Sequence, residues 1–348
     1  MITTLAAFAL TAMTAVQQTD TIIDLDGAGR LELENSGGQV IVTTWDRDAV
    51  RIQAEHSSRT FIEVDHRGGV LQIEADAQRG PTTIVDYELT VPASLDLEID
   101  GMFTDVTVEG MKGDVEVETL EGDIRIVGGS GTVTAESTNG EITIEGAEGT
   151  IEANAVSRGI EIINSSGEIL AESVGGSIIM RGITADVVEA GTIGGRIHYS
   201  GTIQDGGRYF FGSHGGRITL EFPSNVNATV MAVSLTGSIR ANYPGAPTEF
   251  GRRERESFTL GTGSAQVEAE TFSGAIIIER QGSGNEADLD DDLAYSSHDV
   301  PIELFSGMAG EAMSGVVTQA IDAALDVAVE AAAGATSHAD ESRRHRDP

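Results

Sequence analysis

The fold is decided by residues 113–180, which read GDVEVETLEGDIRIVGGSGTVTAESTNGEITIEGAEGTIEANAVSRGIEIINSSGEILAESVGGSIIM. A turn residue, usually glycine, is followed by a small or acidic residue and then by Val or Ile, and this pattern returns every nine positions. The glycines of this ladder are Gly113, Gly122, Gly131, Gly140, Gly149, Gly167 and Gly176. A unit this short holds one strand and one turn and cannot bury its own apolar face, so the units must stack on one another.

A second period lies inside the first, because the apolar pairs of successive units alternate in size. One set of units carries two large residues and starts at Ile124, Ile142, Ile160 and Ile178. The units between them carry pairs such as Ile151 and Ala153, so the true repeat is two units, or eighteen residues. Large side chains can then meet small ones across a core. The pattern predicts an all-β protein, a right-handed parallel β-solenoid with two strands per eighteen-residue coil.

Short alternating runs also occur on both sides of the ladder. Examples are residues 31–34, 40–42 and 87–91 before it and residues 265–269 after it. Period-two runs separated by Gly-rich turns are typical of β-strands. An antiparallel meander is the alternative to the solenoid, but a single-layer meander needs the first hundred residues to form a covering sheet over its apolar face.

The composition changes after the last of these runs. We expect the solenoid to span residues 19–281 and an acidic linker to follow over 282–307, because residues 282–292 read GSGNEADLDDD and have no period. Apolar residues then recur at every fourth position, at Met313, Val317, Ile321, Leu325 and Val329. This spacing predicts an amphipathic helix over residues 308–335, followed by a disordered tail over 336–348.

Residues 2–16 form an apolar run, ITTLAAFALTAMTAV, which polar residues follow. The run is typical in length of a signal-peptide core and is shorter than the roughly 20 residues that span a bilayer. We therefore predict a signal peptide over residues 1–18 and export to the periplasm, the cell surface or the extracellular medium. A buried first strand or helix is the alternative.

The charge balance bounds the partners. Lys and Arg number 21 and Asp and Glu number 56, which gives a net charge of −35. Proteins bind nucleic acids and anionic membrane surfaces through clustered Lys and Arg side chains, so neither is an expected partner of this acidic chain. The chain contains no Cys, which excludes disulfides, thiol catalysis and thiolate metal sites.

Acidic residues of the ladder are candidate metal ligands. In an eighteen-residue coil Asp114, Glu168 and Asp186 would share one edge, and Asp123 and Glu141 would share the other. A calcium β-roll requires a G-G-x-G-x-D repeat, but residues 128–133 read GGSGTV and lack the Asp. We therefore expect solvated edge carboxylates and no cofactor, with calcium as the alternative.

Other chemistry is sparse. His56 and His66 flank a predicted strand pair and could meet beside Asp65, although solvated surface histidines are the more usual interpretation. No H-E-x-x-H or G-x-S-x-G motif occurs in the sequence. The aromatic cluster near the ladder consists of Tyr199 and residues 209–211. A carbohydrate-active enzyme would need such rings as platforms beside two or more carboxylates on one face.

Several segments occur together in an order that indicates a family. They are residues 31–42 (LELENSGGQVIV) followed by Trp45 and Asp46, the strand at 87–92, the Gly-acid-Ile ladder, and residues 271–276 (TFSGAI). Over roughly residues 29–280 the chain resembles the bacterial putative-adhesin domain family of unknown function, and is similar to the head GIN domain putative adhesins. The resemblance implies a β-solenoid at the cell envelope and brings no catalytic residue.

Three function classes follow. The first is a non-catalytic envelope scaffold or adhesin that binds protein or glycan on its sheet faces. The second is a regulatory partner of an envelope complex that acts through the C-terminal helix, and the third is a carbohydrate-active β-helix enzyme. Glycan arrays and hydrolase screens separate the first and third classes. A pull-down with and without residues 308–348 tests the second.

Overall fold

A computed structural model of the protein describes residues 16–77, 84–247 and 255–282. These residues form an all-β structure in which 23 strands belong to one continuous hydrogen-bonded sheet. No helix among them is long and apolar enough to cross a membrane. The strands are β1 (Val16–Asp24), β2 (Arg30–Trp45), β3 (Ala49–Ser57), β4 (Thr60–Arg67), β5 (Val70–Ala77), β6 (Asp86–Pro92), β7 (Asp96–Glu109), β8 (Val115–Glu121), β9 (Ile124–Val127), β10 (Thr132–Ser137), β11 (Ile142–Glu145), β12 (Glu148–Ala155), β13 (Ile160–Ile163), β14 (Ser166–Ser173), β15 (Ile178–Thr192), β16 (Ile197–Gly201), β17 (Arg208–Ser213), β18 (Ile218–Phe222), β19 (Ala228–Ser234), β20 (Ile239–Asn242), β21 (Arg255–Leu260), β22 (Ala265–Thr271) and β23 (Ile276–Arg280).

The ladder strands pair with the strand two places along the chain, not with the next one. In β8, β10, β12 and β14, which pair in parallel, Val133 lies opposite Val115 on one side and Ile151 on the other. In β9, β11 and β13, Ile142 likewise lies between Ile124 and Ile160. Partners are eighteen residues apart in both sets, so the eighteen-residue repeat is confirmed and the antiparallel meander is wrong for these strands.

Two columns of strands result. In spatial order the first column contains β4, β5, the start of β2, the start of β7, β8, β10, β12, β14, the end of β15, β17, β22, β19 and β21. The second column contains β1, β3, β6, the end of β2, the end of β7, β9, β11, β13, the start of β15, β16, β18, β23 and β20. The long strands β2, β7 and β15 take part in both columns. Antiparallel pairs among the described strands occur only towards the ends of the stack.

One core lies between the columns. The inward residues of both columns belong to a single buried cluster that extends from Leu25 to Ile278. Ala153 in the first column and Ile144 in the second are both fully buried, as the alternation in size predicts. Burial of apolar area on this scale is the main favourable term in folding.

At the turns between the columns, the backbones of successive coils lie in close contact. A Cβ atom built on Gly140 would lie 1.7 Å from the Gly122 carbonyl oxygen, and one built on Gly176 would lie 1.8 Å from the Arg158 carbonyl oxygen. No side chain fits at such a distance. The ladder glycines at these two positions are therefore required by the close approach of successive turns.

One unit of the repeat is longer than the others. The register of β14 and β15 shifts so that Gly167 lies opposite Ala185 and Glu168 lies opposite Val187. Asp186 is left out of the pairing as the extra residue of a β-bulge. Asp186 therefore does not pair directly with Glu168, because the inserted residue falls at Asp186 itself.

The C-terminal strands do not stack in chain order. β22 pairs with β17 on one side and with β19 on the other, and β23 lies in the same way between β18 and β20. The last coil, formed by β22 and β23, therefore lies between the coil of β17 and β18 and the coil of β19 and β20, although it follows both in the sequence. β21 then closes the first column by antiparallel pairing with β19.

The predicted linker, helix and tail at 283–348 lie outside the described residues, as do residues 1–15 of the predicted signal peptide. Its last residues, Gln17 and Gln18, belong to β1, which pairs with β3.

Candidate functional site: the acidic face of the first column

The outward face of the first column carries carboxylates that stack in register. Each member of what we call the main acidic row lies directly opposite the next on the neighbouring strand. The row consists of Glu74, Glu34, Asp100, Glu118, Glu136, Asn154 and Glu172. Neighbouring strands are about 4.8 Å apart, so five carboxylates follow one another at close to that interval before Asn154 interrupts the row.

A neighbouring acidic row runs beside the first and includes Glu32, Glu98 and Glu116. Arg30 Nη2 lies 2.8 Å from Glu98 Oε2 and 3.1 Å from Glu116 Oε2. One guanidinium therefore bridges two carboxylates of adjacent strands on this face. This contact shows that a single cationic side chain can reach carboxylates on two neighbouring strands at once.

The main acidic row lacks such a partner at its exposed end. No salt bridge among the described residues reaches Glu34, Asp100 or Glu118. Partial burial raises the pKa of Asp100, and the charges of Glu34, Glu116 and Glu32 raise it further. Burial likewise raises the pKa of Glu118, with Glu136 and Asp100 among the neighbouring charges that add to the effect. The carboxylates of the row thus repel one another, and a bound cationic ligand would reduce this repulsion.

The edge carboxylates predicted from the ladder have a structural role at two positions. Asp114 Oδ1 accepts a hydrogen bond from the Thr132 backbone N–H at 2.8 Å, and Asp123 Oδ1 accepts one from the Glu141 backbone N–H at 2.8 Å. Each carboxylate thereby holds the backbone of the next coil. Asp96 and Asp105 make the same contact one coil earlier, to the backbone N–H groups of Asp114 and Asp123.

The remaining edge candidates are not brought to one point. Glu141 is half-buried, and its pKa is raised by burial and then by the charges of Asp123 and Glu161. Glu168 is exposed on β14 opposite Thr150, and Asp186 lies at the bulge. Within residues 16–77, 84–247 and 255–282, no three His, Cys, Asp or Glu side chains form a group that could hold a metal ion.

The histidine pair and the aromatic cluster are also accounted for by the fold. His56 in β3 is hydrogen bonded to Thr19 Oγ1 at 2.9 Å, whereas His66 is exposed in β4, opposite Leu71. Tyr199, Tyr209 and Phe211 are buried in the core, where the Tyr199 ring lies 6.1 Å from Tyr209 and 5.1 Å from Phe211. These three rings therefore form no exposed sugar platform.

A pocket of about 360 Å³ lies at one end of the main acidic row. Glu34, Glu74 and Asp100 line it, and so does Asn35, whose side chain is buried. Asn35 Nδ2 donates to the Val85 carbonyl oxygen at 3.1 Å, while its Oδ1 has no hydrogen-bond partner among the described residues. The sequence marks Asn35 only as part of residues 31–42 (LELENSGGQVIV), one of the segments that indicate the family.

The rows themselves were missed at the level of sequence, although they have a signal there. Acidic or amide residues recur every eighteen positions at Asp100, Glu118, Glu136, Asn154 and Glu172. The candidate ligands named from the sequence follow the ladder glycines and therefore lie at strand edges. The rows lie in mid-strand and point outward, where parallel in-register pairing aligns them.

No protein-family model matches the chain, and no curated protein matches its sequence. Five solved chains match the structure, and one is described as the crystal structure of a putative cell adhesion protein from Clostridium sporogenes ATCC 15579. That match covers 77% of this chain and 100% of the other at 12% identity, with a TM-score of 0.23. At this level of similarity, function must be argued from this chain's own residues.

Proposed function

We propose that the protein is a non-catalytic, adhesin-like binding or structural scaffold of the cell envelope. In this proposal the two columns are the sheets of a right-handed parallel β-solenoid, and the chain is exported by the signal peptide expected at residues 1–18. Its partner is a protein or a glycan, and neither nucleic acid nor an anionic membrane surface is expected.

The observation that supports this proposal is the in-register main acidic row. Strand pairing fixes the side chains of Glu34, Asp100 and Glu118 at regular intervals on a face backed by a continuous core. A rigid periodic face loses little conformational entropy when it binds an extended partner. Such a face needs no convergent catalytic group in order to act.

Binding assays with the full-length protein test this function. Labelled protein would be applied to arrays of glycans and of envelope proteins, beside a variant that combines Glu34→Gln, Asp100→Asn and Glu118→Gln. We expect the parent to bind one class of ligand and the variant to bind it at least about tenfold more weakly. Glu109→Gln, on an exposed residue of β7 in the second column, is the matched control and should bind as the parent does.

Two results would contradict the proposal. One is turnover of a polysaccharide in a hydrolase screen, since this would favour the carbohydrate-active class. The other is retention of all binding by the triple variant. Fractionation of native cells tests export separately, because an intact Met1 in the cytoplasmic fraction would exclude a cleaved signal peptide.

A further inference from the structure

Exposed apolar side chains gather beside the end of the main acidic row. Of the six most exposed large apolar residues in the described part of the chain, four lie at this corner. They are Ile84, Met102, Phe103 and Leu120, with exposures of 70, 50, 55 and 47%. We call these four residues the apolar corner. Clustered apolar surface of this kind is typical of an interaction site.

The apolar corner is continuous with the pocket. Met102 and Leu120 line the pocket together with the carboxylates. A Cβ atom added to Gly37 would lie 3.6 Å from Phe103 Cβ and 3.8 Å from Ile84 Cγ1, so those two side chains flank the same stretch of β2. The acidic and the apolar residues therefore form one surface rather than two.

Sequence spacing sets the two kinds of side chain next to each other. Met102 follows Asp100 by two residues on β7, and Leu120 follows Glu118 by two residues on β8. Side chains two residues apart on a strand leave the same face. On each of these two adjacent strands, a carboxylate is therefore followed by an apolar side chain on the same face.

The pocket is lined by a buried amide side chain as well as by carboxylates. Asn35 is 4% exposed, and its Oδ1 has no donor among the described residues. Glu34, Glu74 and Asp100 also line the pocket, so a group that enters it should be positively charged.

We propose that this surface binds a basic amphipathic helix of another protein. Its basic residues would lie along the main acidic row, and its apolar residues would cover the apolar corner. The inference rests on the binding function proposed above and specifies the chemistry of the partner.

The repeat distances favour a helix. A helix advances about 5.4 Å per turn, and neighbouring strands are about 4.8 Å apart. A helix that lies along the stack can therefore present one basic and one apolar residue per turn to one strand after another, with little drift over three or four turns. The contact of Arg30 with Glu98 and Glu116 shows that a guanidinium can bridge two adjacent strands of this face.

The chain's own predicted helix does not fit this surface. Residues 308–335 contain Glu311, Asp322, Asp326 and Glu330 and no Lys or Arg. Those carboxylates would be repelled by the main acidic row. The chain's own basic run, RRHR at residues 343–346, spans only about one helical turn. A basic helix of several turns would therefore come from another protein.

The test uses the full-length protein and two synthetic peptides of about five helical turns. Lys and Leu occupy two adjacent rows in the first peptide, and the second has the same composition in scrambled order. We expect the patterned peptide to bind at least about tenfold more tightly, and to weaken as sodium chloride rises from about 0.05 to 0.3 M. Equal binding of the two peptides would show only non-specific attraction and would overturn the inference.

Variants locate the site. Met102→Ser combined with Leu120→Ser should weaken the patterned peptide by about tenfold at both salt concentrations, and Asp100→Asn combined with Glu34→Gln should also reduce its salt dependence. The controls are Ile22→Ser, on an exposed apolar residue of β1, and Glu109→Gln. Binding by the corner variants at the level of the parent would overturn the inference.

Hydrogen exchange of the parent protein gives a readout that requires no variant. The patterned peptide should slow amide exchange at residues 100–104 and 118–122, and protection confined to another part of the chain would count against the site. If the peptide fails while array ligands still depend on the main acidic row, then this inference is wrong and the proposed function stands. If array binding is lost as well, the proposed function has failed too.

Discussion

Ser137 makes three hydrogen bonds at a corner of the stack, one of them with Thr119 Oγ1 of the preceding coil at 3.1 Å. Its Oγ accepts from the Gly140 backbone N–H at 2.8 Å and donates to the Gly122 carbonyl oxygen at 3.3 Å. A Ser or Thr three residues before a turn glycine makes the same acceptor contact at Ser173, Thr192, Ser213, Ser234 and Thr271. At these six corners the hydroxyl groups thus satisfy backbone N–H groups that strand pairing leaves without a partner.

Replacement of that hydroxyl should cost stability. Ser137→Ala would leave the buried Gly140 N–H without its acceptor, so we expect a loss of about 1 to 3 kcal/mol in the free energy of unfolding, measured by urea denaturation. Ser137→Thr is the matched control and should cost much less, because Thr occupies the equivalent place at residues 192 and 271. An Ala variant as stable as the parent would show that the corner bonds are dispensable.

The Ala column of the core leads to a second prediction. Ala153 lies between Ala135 and Ala171 in the first column and is fully buried. Ala153→Leu should lower the free energy of unfolding by about 1 to 3 kcal/mol through overpacking. Ile144→Ala, also at a fully buried position, should lower it by about 2 to 5 kcal/mol through the cavity left behind. Denaturant melts that found the Leu variant more stable than the parent would mean that the Ala column borders free space.

At the scale of the element, parallel in-register pairing aligns like charges as faithfully as it aligns apolar residues. Glu118 lies directly between Asp100 and Glu136 on the neighbouring strands. Its folded-state pKa is raised, so the folded protein takes up a proton at this site more readily than the unfolded chain does. Stability from this group therefore increases as the pH falls from neutral through the raised pKa, and the gain is complete below the ordinary pKa of glutamate.

Neutralising Glu118 should have the same effect without a pH change. We expect Glu118→Gln to stabilise the protein at pH 7 by about 0.5 kcal/mol, which is the order of a like-charge contact between strands. The difference from the parent should shrink towards pH 4, where the carboxyl group becomes protonated. Thermal melts at both pH values measure this difference. A destabilised Gln variant at pH 7, or a difference that grows on acidification, would contradict it.

The pairing of a strand could be predicted from the sequence only where its partner is a nearby unit of the same repeat. Between residues 113 and 180 each strand repeats its neighbour's pattern at a fixed spacing, so the period alone predicted which residues lie opposite one another. The antiparallel pairing of β1 with β3 and of β4 with β5 left no such signal, because those strands share no repeat. The edge candidates Asp114 and Asp123 directly precede β8 and β9. Their bonds to the next coil's backbone depend on the relative position of two turns, which the repeat does not specify.

At the scale of the whole molecule, the insertion of β22 and β23 could not be predicted from the repeat. A stack of similar coils allows either order, because the corner glycines make the same close contacts at each level. A Cβ atom on Gly274 would lie 1.7 Å from the Gly216 carbonyl oxygen, and one on Gly237 would lie 1.9 Å from the Gly274 carbonyl oxygen. The order is therefore set by the connections between the coils as well as by the packing of each level.

The absence of Cys allows this order to be tested by cross-linking. Ile277 on β23 lies opposite Thr219 on β18 and opposite Arg240 on β20. Adjacent strands are about 4.8 Å apart, which suits the Cα separation of a disulfide, whereas Thr219 and Arg240 are two strands apart, at roughly 9.6 Å, which is too far. Under mild oxidation, Thr219→Cys with Ile277→Cys and Arg240→Cys with Ile277→Cys should each form an intramolecular disulfide, detected by mass spectrometry of the digest. Thr219→Cys with Arg240→Cys should remain reduced, and a disulfide in that pair instead would place β20 directly on β18 and restore chain order.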